Sequence, residues 1–244
     1  MSGHSKWANI KRRKAVVDAQ RGQTFSRYSR EITVAARAGG GNPEANFRLN
    51  TAIEKARAAN LPADTIARAI QRGVGATEGG DFDAVTYEGY GPGGVAVLLD
   101  ILTDNRNRTA ADIRHLFAKH GGSLGETGCV AWMFDRRAVV RVAAEAAAEE
   151  RVLAVALELG AEDVETDAEG YTVLAQPDDL EAVRSGLESQ GIAVASAEVE
   201  RVARTTVSLS GADAERAWRL LDALEEHDDV QGVYSNLETD EAEG

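Results

Sequence analysis

The sequence predicts an α+β multidomain protein in which an N-terminal three-helix domain precedes two ferredoxin-like α+β domains, one inserted in the other. Three observations lead to this class. Apolar residues recur at helical spacing before residue 80, the period changes from residue 81, and one complete β-α-β-β-α-β set then separates two half sets. We therefore expect a basic arm and helical domain over 1–80, a discontinuous α+β domain over 81–135 plus 204–244, and an inserted ferredoxin-like domain over 136–203.

The first helix follows a basic arm. Residues 1–15 have no apolar period, whereas the next segment places four apolar residues on one helical face. These residues are Phe25, Tyr28, Ile32 and Ala35. The glycines at 39–41 end this helix, because glycine is unfavourable inside a helix and favourable just after its end.

Asparagine and proline indicate where the second and third helices begin. Asn42 is the expected N-cap of the second helix, with Pro43 at its first position. The inward residues of that helix are Leu49, Ile53 and Ala56. Pro62 opens the third helix. Its predicted apolar stripe is Ile66, Ile70 and Val74.

Two half sets of strands and helices form the predicted discontinuous domain. In the first, residues 95–102 are a buried strand, a helix ends at Gly121-Gly122, and residues 129–134 are a second strand. The second half comprises strand 206–209, a helix over 214–224 and strand 230–237. Because neither half is a complete domain, we expect the two to join around the insertion.

The inserted domain is predicted from a complete set of elements. Its strands are 138–142, 163–166, 171–175 and 192–199, and its helices are 145–159 and 180–187. Gly160 and Gly191 follow the two helices directly, as helix-ending residues do.

Charge is distributed unevenly along the chain. Residues 1–80 hold 14 Lys and Arg against 6 Asp and Glu, a formal charge of +8, whereas the remaining 164 residues hold 13 against 34, or −21. Such blocks of opposite sign predict a positive end that contacts polyanions, carried on a body that does not.

Composition excludes several classes of protein. The chain has no apolar run of the ~20 residues that a membrane helix needs and no apolar leader, so we expect a cytoplasmic protein with no membrane partner. Cys129 is the only cysteine, which excludes an intramolecular disulfide and favours a buried, inert thiol. The four histidines lack metal-ligand spacing, so we expect no metal. No set of base, nucleophile and orienting partner is apparent in the sequence, so we expect no cofactor and no enzymatic activity.

The basic arm is the first candidate nucleic-acid contact. We expect its cations to neutralise phosphates and Trp7 to stack on an unpaired base. The alternative is a solvated terminus in which Trp7 folds back onto the helices. The candidate contacts in the arm and first helix are Lys6, Trp7, Lys11, Arg12, Arg13, Lys14, Arg21, Arg27 and Arg30.

A second candidate lies at the start of the helix after residue 102. Arg106 and Arg108 would lie beside exposed backbone donors at a helix N-terminus, where anions bind. Thr109 with Asp112 resembles a capping box. The alternative is simple capping by Asn105 or Thr109 with solvated arginines. The candidate contacts are Asn105, Arg106, Asn107 and Arg108.

Three further motifs favour structural interpretations. The glycines over 89–94 precede a strand, whereas phosphate loops follow one. We therefore expect a tight turn or bulge that leads into the strand, with Tyr87 and Tyr90 as packing or edge residues. The helices joined near Pro62 resemble a helix-turn-helix only weakly. The acidic residues over 225–229 are interpreted as a solvated face.

Three segments resemble the YebC/PmpR family: 1–46, 87–109, which begins YEGYGPGG, and 228–238. The resemblance extends from Ser2 to about Leu237. It implies a three-domain cytoplasmic protein, with a helical N-terminal domain and two α+β domains, and no enzymatic activity. It also implies a role as a DNA-binding transcriptional regulator, or at the ribosome as in the mitochondrial translational activator of cytochrome c oxidase. The arm residues 6–14 and loop residues 105–108 match the family's motifs, and Arg12-Arg13 replace a histidine-containing part of its basic run.

We therefore expect a non-enzymatic regulator of gene expression that binds promoter DNA or ribosomal RNA through its basic end. The acidic body argues against broad wrapping of duplex DNA, since it repels phosphates, whereas a ribosome presents RNA beside basic proteins. The alternative is a protein-binding adaptor that acts through exposed sheet edges of the α+β domains. An enzyme or small-ligand sensor is a third hypothesis, without a set of residues to support it.

Overall fold

The structure is a computed structural model that describes residues 21–75, 82–167 and 170–239. These ranges contain seven α-helices and ten β-strands. The helices are α1 Arg21–Gly39, α2 Phe47–Ala58, α3 Ala63–Val74, α4 Arg106–Lys119, α5 Glu149–Glu158, α6 Leu180–Ser189 and α7 Gly211–Glu225. The strands are β1 Asp83–Tyr90, β2 Ala96–Thr103, β3 Ser123–Leu124, β4 Phe134–Ala143, β5 Asp163–Thr166, β6 Gly170–Ala175, β7 Ser196–Ala203, β8 Val207–Leu209, β9 Val230–Ser235 and β10 Leu237–Thr239.

The predicted α+β class with an N-terminal helical part is confirmed. Within the described ranges the chain divides into two compact units. One contains 21–75, 82–129 and 211–233, and the other contains 130–167, 170–210 and 234–239. The predicted domain boundaries stay a prediction.

Helices α1, α2 and α3 form the helical head around one apolar core. Its most buried large residues are Ile32, Leu49, Ile53, Leu61 and Ile66. The predicted stripe on α3 is wrong at Val74, which is 54% exposed, because Gly73 takes the inward position instead. A Cβ atom on Gly73 would lie 2.5 Å from the carbonyl oxygen of Thr33, so the absent side chain allows α3 to approach α1 closely.

The connection between α1 and α2 differs from the prediction. The N-cap of α2 is Asn46 rather than Asn42, because its side-chain oxygen accepts the N–H of Leu49 at 3.1 Å. The Asn46 amide also donates to the carbonyls of Ala35 and Gly40, both at 2.8 Å. One buried side chain therefore fixes the end of α1 and the start of α2.

The first sheet has the strand order β3-β1-β2-β9. Strands β1 and β2 form an antiparallel hairpin, paired from Asp83 with Thr103 to Tyr90 with Ala96. The expected turn over 89–94 is therefore only partly correct, since residues 83–90 form a strand before it. The predicted strand over 129–134 is wrong: residues 131–133 form a 3-10 turn, and β1 rather than that segment extends the sheet.

The second unit contains a sheet with the order β5-β6-β4-β7, in which every neighbouring pair is antiparallel. Its chain order is β4-α5-β5-β6-α6-β7, the split β-α-β arrangement that the ferredoxin-like prediction requires. Its main buried residues are Val140, Val142, Val152, Val173, Val183, Leu187 and Ile192.

Two strand boundaries differ from the prediction. Strand β7 begins at Ser196 rather than at residue 192, because Ile192 is fully buried in the helix-facing core before the strand starts. The predicted strand over 230–237 is divided into β9 and β10 around the buried Asn236. Strand β10 pairs in parallel with β8 as a separate two-stranded sheet.

Candidate nucleic-acid interface

The structure describes part of the predicted contact set. Six arm residues lie outside the described ranges. They are Lys6, Trp7, Lys11, Arg12, Arg13 and Lys14. Arg21 is the first residue of α1, and its side chain is not described. The geometry below therefore concerns Arg27 and Arg30 on α1 and the residues Asn105–Arg108 at the start of α4.

Asn105 caps helix α4. Its backbone is extended, and its side-chain oxygen accepts the N–H of Arg108 at 3.1 Å. Its own N–H donates to the hydroxyl oxygen of Thr103 at 2.9 Å, which links the cap to the end of β2. Of the sequence alternatives, capping by Asn105 is confirmed, and a capping box at Thr109 is wrong, because Thr109 is buried inside the first helical turns.

Arg106, Asn107 and Arg108 are exposed beside this cap. The Arg106 side chain is 59% exposed, and its Nε lies 2.8 Å from an oxygen of Asp83. One Arg108 terminal nitrogen donates to Asp104 at 2.7 Å. Exposed ion pairs of this kind contribute only about 0–1 kcal/mol, so exchanging a carboxylate for a phosphate at either arginine costs little.

The Tyr87 hydroxyl contacts the same loop. It donates to the carbonyl oxygen of Arg106 at 3.1 Å. Burial raises the pKa of this phenol, and the nearby charges of Arg106 and Arg114 only partly oppose that effect. Tyr87 is therefore a neutral hydrogen-bond donor that fixes the backbone at Arg106, one of the predicted contact residues.

The interpretation of residues 225–229 as a solvated face is wrong at Asp229, which is only 2% exposed. Its oxygen Oδ2 accepts a 2.6 Å hydrogen bond from the hydroxyl of Thr109 and lies 3.4 Å from Arg108 Nη2. Its oxygen Oδ1 pairs with Arg30 Nη1. We call Arg30, Arg108, Thr109 and Asp229 the Asp229 clasp.

The environment of Asp229 favours its charged form. Burial alone would raise the pKa of the carboxyl, but the Thr109 hydrogen bond, the charge of Arg30 and the hydrogen bonds from Arg108 and Arg30 together outweigh burial. The resulting pKa lies below the ordinary value for aspartate. Asp229 is therefore an ionised group at neutral pH, held among two guanidinium groups and a hydroxyl.

Two arginines of α1, Arg27 and Arg30, point towards this region. Arg30 also donates to the carbonyl oxygen of Asp228 at 2.8 Å, and its guanidinium carbon lies 5.8 Å from the centre of the Phe82 ring. Arg27 donates to the carbonyl oxygen of Gln231. Both side chains thus have partners within the chain, and their role as nucleic-acid contacts stays a prediction.

Sequence reasoning missed Asp229 because no local signal distinguishes it. Asp228 and Asp229 are adjacent acids before a strand, yet Asp228 is exposed and Asp229 is buried. The partners that separate them lie 120 and 199 residues away in the chain. Only the tertiary structure reveals the difference.

Cys129 is half-buried rather than buried, and desolvation and the neighbouring Glu88 raise the pKa of its thiol, which disfavours the reactive thiolate. Within 21–75, 82–167 and 170–239, no cluster of three His, Cys, Asp or Glu side chains is arranged to hold a metal ion. The described helices include none that is long and apolar enough to cross a membrane.

A helical head followed by two α+β parts, with a capped helix N-terminus flanked by arginines, defines a multidomain α+β protein. Two family models account for nearly the whole chain. Residues 5–76 match the TACO1/YebC protein N-terminal domain, and residues 82–237 match the TACO1/YebC second and third domain. The chain belongs to the TACO1/YebC family, which confirms the resemblance seen in the sequence.

Curated relatives in several bacteria agree with this assignment. A protein of Desulfitobacterium hafniense is 55% identical over 201 residues, with 82% of this chain and 80% of the relative covered. A protein of Rubrobacter xylanophilus is 56% identical over 200 residues, with the same shares covered. Each is named a probable transcriptional regulatory protein.

A solved structure has the same fold. The crystal structure of a conserved hypothetical protein from Aquifex aeolicus is 47% identical in sequence and superposes with a TM-score of 0.84. The match covers 93% of this chain and 94% of that one. The similarity therefore extends over the head and both α+β parts.

Proposed function

We propose that this protein is a non-enzymatic, cytoplasmic regulator of gene expression that binds nucleic acid through its basic N-terminal end. The observation that carries the proposal is the separation of charge between residues 1–80, at +8, and the rest of the chain, at −21. The names of the curated relatives support a regulatory role. The arm, the first helix and the loop Asn105–Arg108 supply the proposed contacts.

The described head supports a positive surface. Residues 21–75 contain nine Lys and Arg and four Asp and Glu. Arg48, Arg57 and Arg72 are exposed on α2 and α3, where a phosphate can approach them. Arg30, by contrast, is directed to Asp229, so the positive surface of the head depends on the other cations.

The nucleic acid contacted is either promoter DNA or ribosomal RNA. A body at −21 repels any phosphate that approaches it within about 10 Å, which disfavours a duplex wrapped around the protein. A ribosome presents RNA beside basic protein surfaces, which accommodates both signs of charge. The names of the relatives favour transcription, so the two targets need a direct comparison.

Co-sedimentation with ribosomes, measured across a salt series beside binding to random duplex DNA, makes that comparison. We expect the full chain to associate with one of the two and a chain lacking residues 1–15 to lose the association. Stable ribosome association with weak duplex binding identifies translation as the process, and the reverse identifies transcription. If neither polyanion binds the full chain, the proposal is wrong.

A protein-binding adaptor is the second candidate, and the observation that favours it is the edge position of β7. This strand is eight residues long, partly exposed throughout, and last in its sheet. Edge strands present backbone groups to which a partner strand can pair. Deleting residues 1–15 separates the two functions, since a partner held at β7 stays bound when the arm is absent.

A further inference from the structure

We propose that Asp229 is a positioning residue that joins α1 and the start of α4 into one nucleic-acid-binding surface. This inference rests on the proposed function, because it concerns how two of the proposed contact regions are held together. Asp229 itself contacts no nucleic acid in this account. It acts through Arg30 on one side and through Thr109 and Arg108 on the other.

The attachment to the head consists of three contacts from α1. Arg30 pairs with the Asp229 carboxylate and donates to the Asp228 carbonyl, and Arg27 donates to the Gln231 carbonyl. The Arg30 side chain is 21% exposed, so most of its surface is already buried against the body. A cation buried to this extent requires an acidic partner, and the carboxylate of Asp229 supplies it.

The attachment to α4 is a chain of hydrogen bonds. The N–H of Asn105 donates to Thr103, the hydroxyl oxygens of Thr103 and Thr109 lie 2.7 Å apart, and Thr109 donates to Asp229. The carbonyl oxygen of Asp229 accepts the N–H of Leu102 at 2.8 Å, which fixes its backbone to β2. Both carboxylate oxygens are thus used, one towards each helix.

This arrangement holds α1 beside the start of α4, because Arg30 and Thr109 bind the same carboxylate. Two contact regions held in one frame bind a long ligand with high effective concentration at the second region, a gain that reaches about 10²–10⁴ in favourable geometries. A short ligand that contacts only one region gains no affinity from the second region.

Ligand length therefore provides the test. The probes are fluorescein-labelled oligouridylates of about 6 and about 24 nucleotides, bound by the full chain and measured by anisotropy. Asp229→Asn keeps the shape of the side chain and removes its charge. We expect Asp229→Asn to weaken binding of the long probe by about tenfold and to leave binding of the short probe unchanged.

Asp104→Asn is the matched control. Asp104 also pairs with Arg108, at 2.7 Å, but it is 49% exposed and has no contact with Arg30 or Thr109 among the described interactions. We expect this variant to retain the length advantage of the wild type. Thr109→Val removes the hydrogen bond to Asp229 from α4 and repeats the test if Asp229→Asn does not fold.

Every result of the probe measurements either supports or overturns the inference. Loss of the length advantage in Asp229→Asn or Thr109→Val, with retention in Asp104→Asn, supports the inference. Retention of that advantage in the folded clasp variants overturns it, as does an equal loss for both probes, which indicates general damage to the fold. If the wild type binds neither probe, the inference fails, and that result is distinct from failure of the proposed function, which binding to ribosomes and duplex DNA tests separately.

Discussion

The hydroxyl of Thr109 donates a 2.6 Å hydrogen bond to the carboxylate of Asp229, and both residues are buried. This bond connects the first turns of α4 to the segment before β9, two parts of the chain separated by 120 residues. Because Arg30 of the helical head shares the same carboxylate, one acidic side chain links three separate segments. Several measurable properties follow from that connection.

Stability should depend strongly on Asp229. Asp229→Asn removes the charge that compensates Arg30 and weakens the bond from Thr109, so we expect a loss of about 2 kcal/mol in the free energy of unfolding. Asp104→Asn breaks only an exposed pair and should cost less than about 0.5 kcal/mol. Urea unfolding at neutral pH measures both, and equal stability of the two variants would contradict the buried role of Asp229.

The contribution of Asp229 to the free energy of unfolding should disappear in acid. Its folded pKa is lowered relative to the unfolded chain, so its stabilisation is fully present above the unfolded value of about 4 and is lost as the pH falls through the folded value. The difference in unfolding free energy between wild type and Asp229→Asn should therefore shrink below about pH 4. Unfolding curves at several pH values measure it, and a difference that grows on acidification would refute the assignment.

Gly73→Ala tests the close approach of α3 to α1. Alanine is better than glycine in a helix by about 1 kcal/mol, yet a Cβ here would lie 2.5 Å from the Thr33 oxygen and 2.7 Å from the Ala36 Cβ. We expect a net loss of about 1–2 kcal/mol, measured by urea unfolding. Ala67→Gly, exposed on the same helix, isolates the propensity effect. A Gly73→Ala protein more stable than wild type would show that the helices can separate at no cost.

The second sheet contains a buried ion pair that offers another test. Arg141 is 5% exposed and binds both carboxylate oxygens of Glu200, at 2.6 and 2.8 Å. Burial acts to lower the pKa of Arg141, but the hydrogen bonds and charge of Glu200 outweigh it. Glu200→Gln should cost about 3 kcal/mol, because it leaves a buried guanidinium uncompensated.

Glu188→Gln on α6 is the control for that substitution. Glu188 lies 3.5 Å from Arg184 at the surface, where an ion pair contributes little. We expect its unfolding free energy to stay within about 0.5 kcal/mol of the wild type. If Glu200→Gln were equally mild, the buried pair would not stabilise the sheet.

Local signals in the sequence predicted several elements of the second unit well. Strand β5 has the predicted bounds, since a turn beginning at Asp167 follows it and the Asp167 carboxylate accepts the N–H of Gly170 at 3.0 Å. Glycines with positive φ end several helices as expected, among them Gly160 and Gly191. Turn and helix-end chemistry depends on neighbouring residues, and a sequence displays neighbours directly.

Distant partners explain what the sequence could not predict. Strand β1 ends where a glycine-rich stretch typical of turns begins, but Gly89 lies within the strand and is needed there because a Cβ would lie 2.8 Å from the Phe117 ring of α4. Asp229 resembles its exposed neighbour until Arg30 and Thr109 are placed beside it. In both cases the residue type is decided by a contact across the fold rather than by local propensity.

The salt dependence of nucleic-acid binding by the full chain tests the central claim most directly. If the arm neutralises about five phosphates, the logarithm of the association constant should fall with the logarithm of salt concentration at a slope near −4. Replacing Lys11, Arg12, Arg13 and Lys14 by Gln should reduce that slope by about three, whereas replacing the exposed Arg216 and Arg219 of α7 should not change it. Affinity that is independent of salt, or a slope unchanged by the arm substitutions, would contradict recognition of phosphates by the basic end.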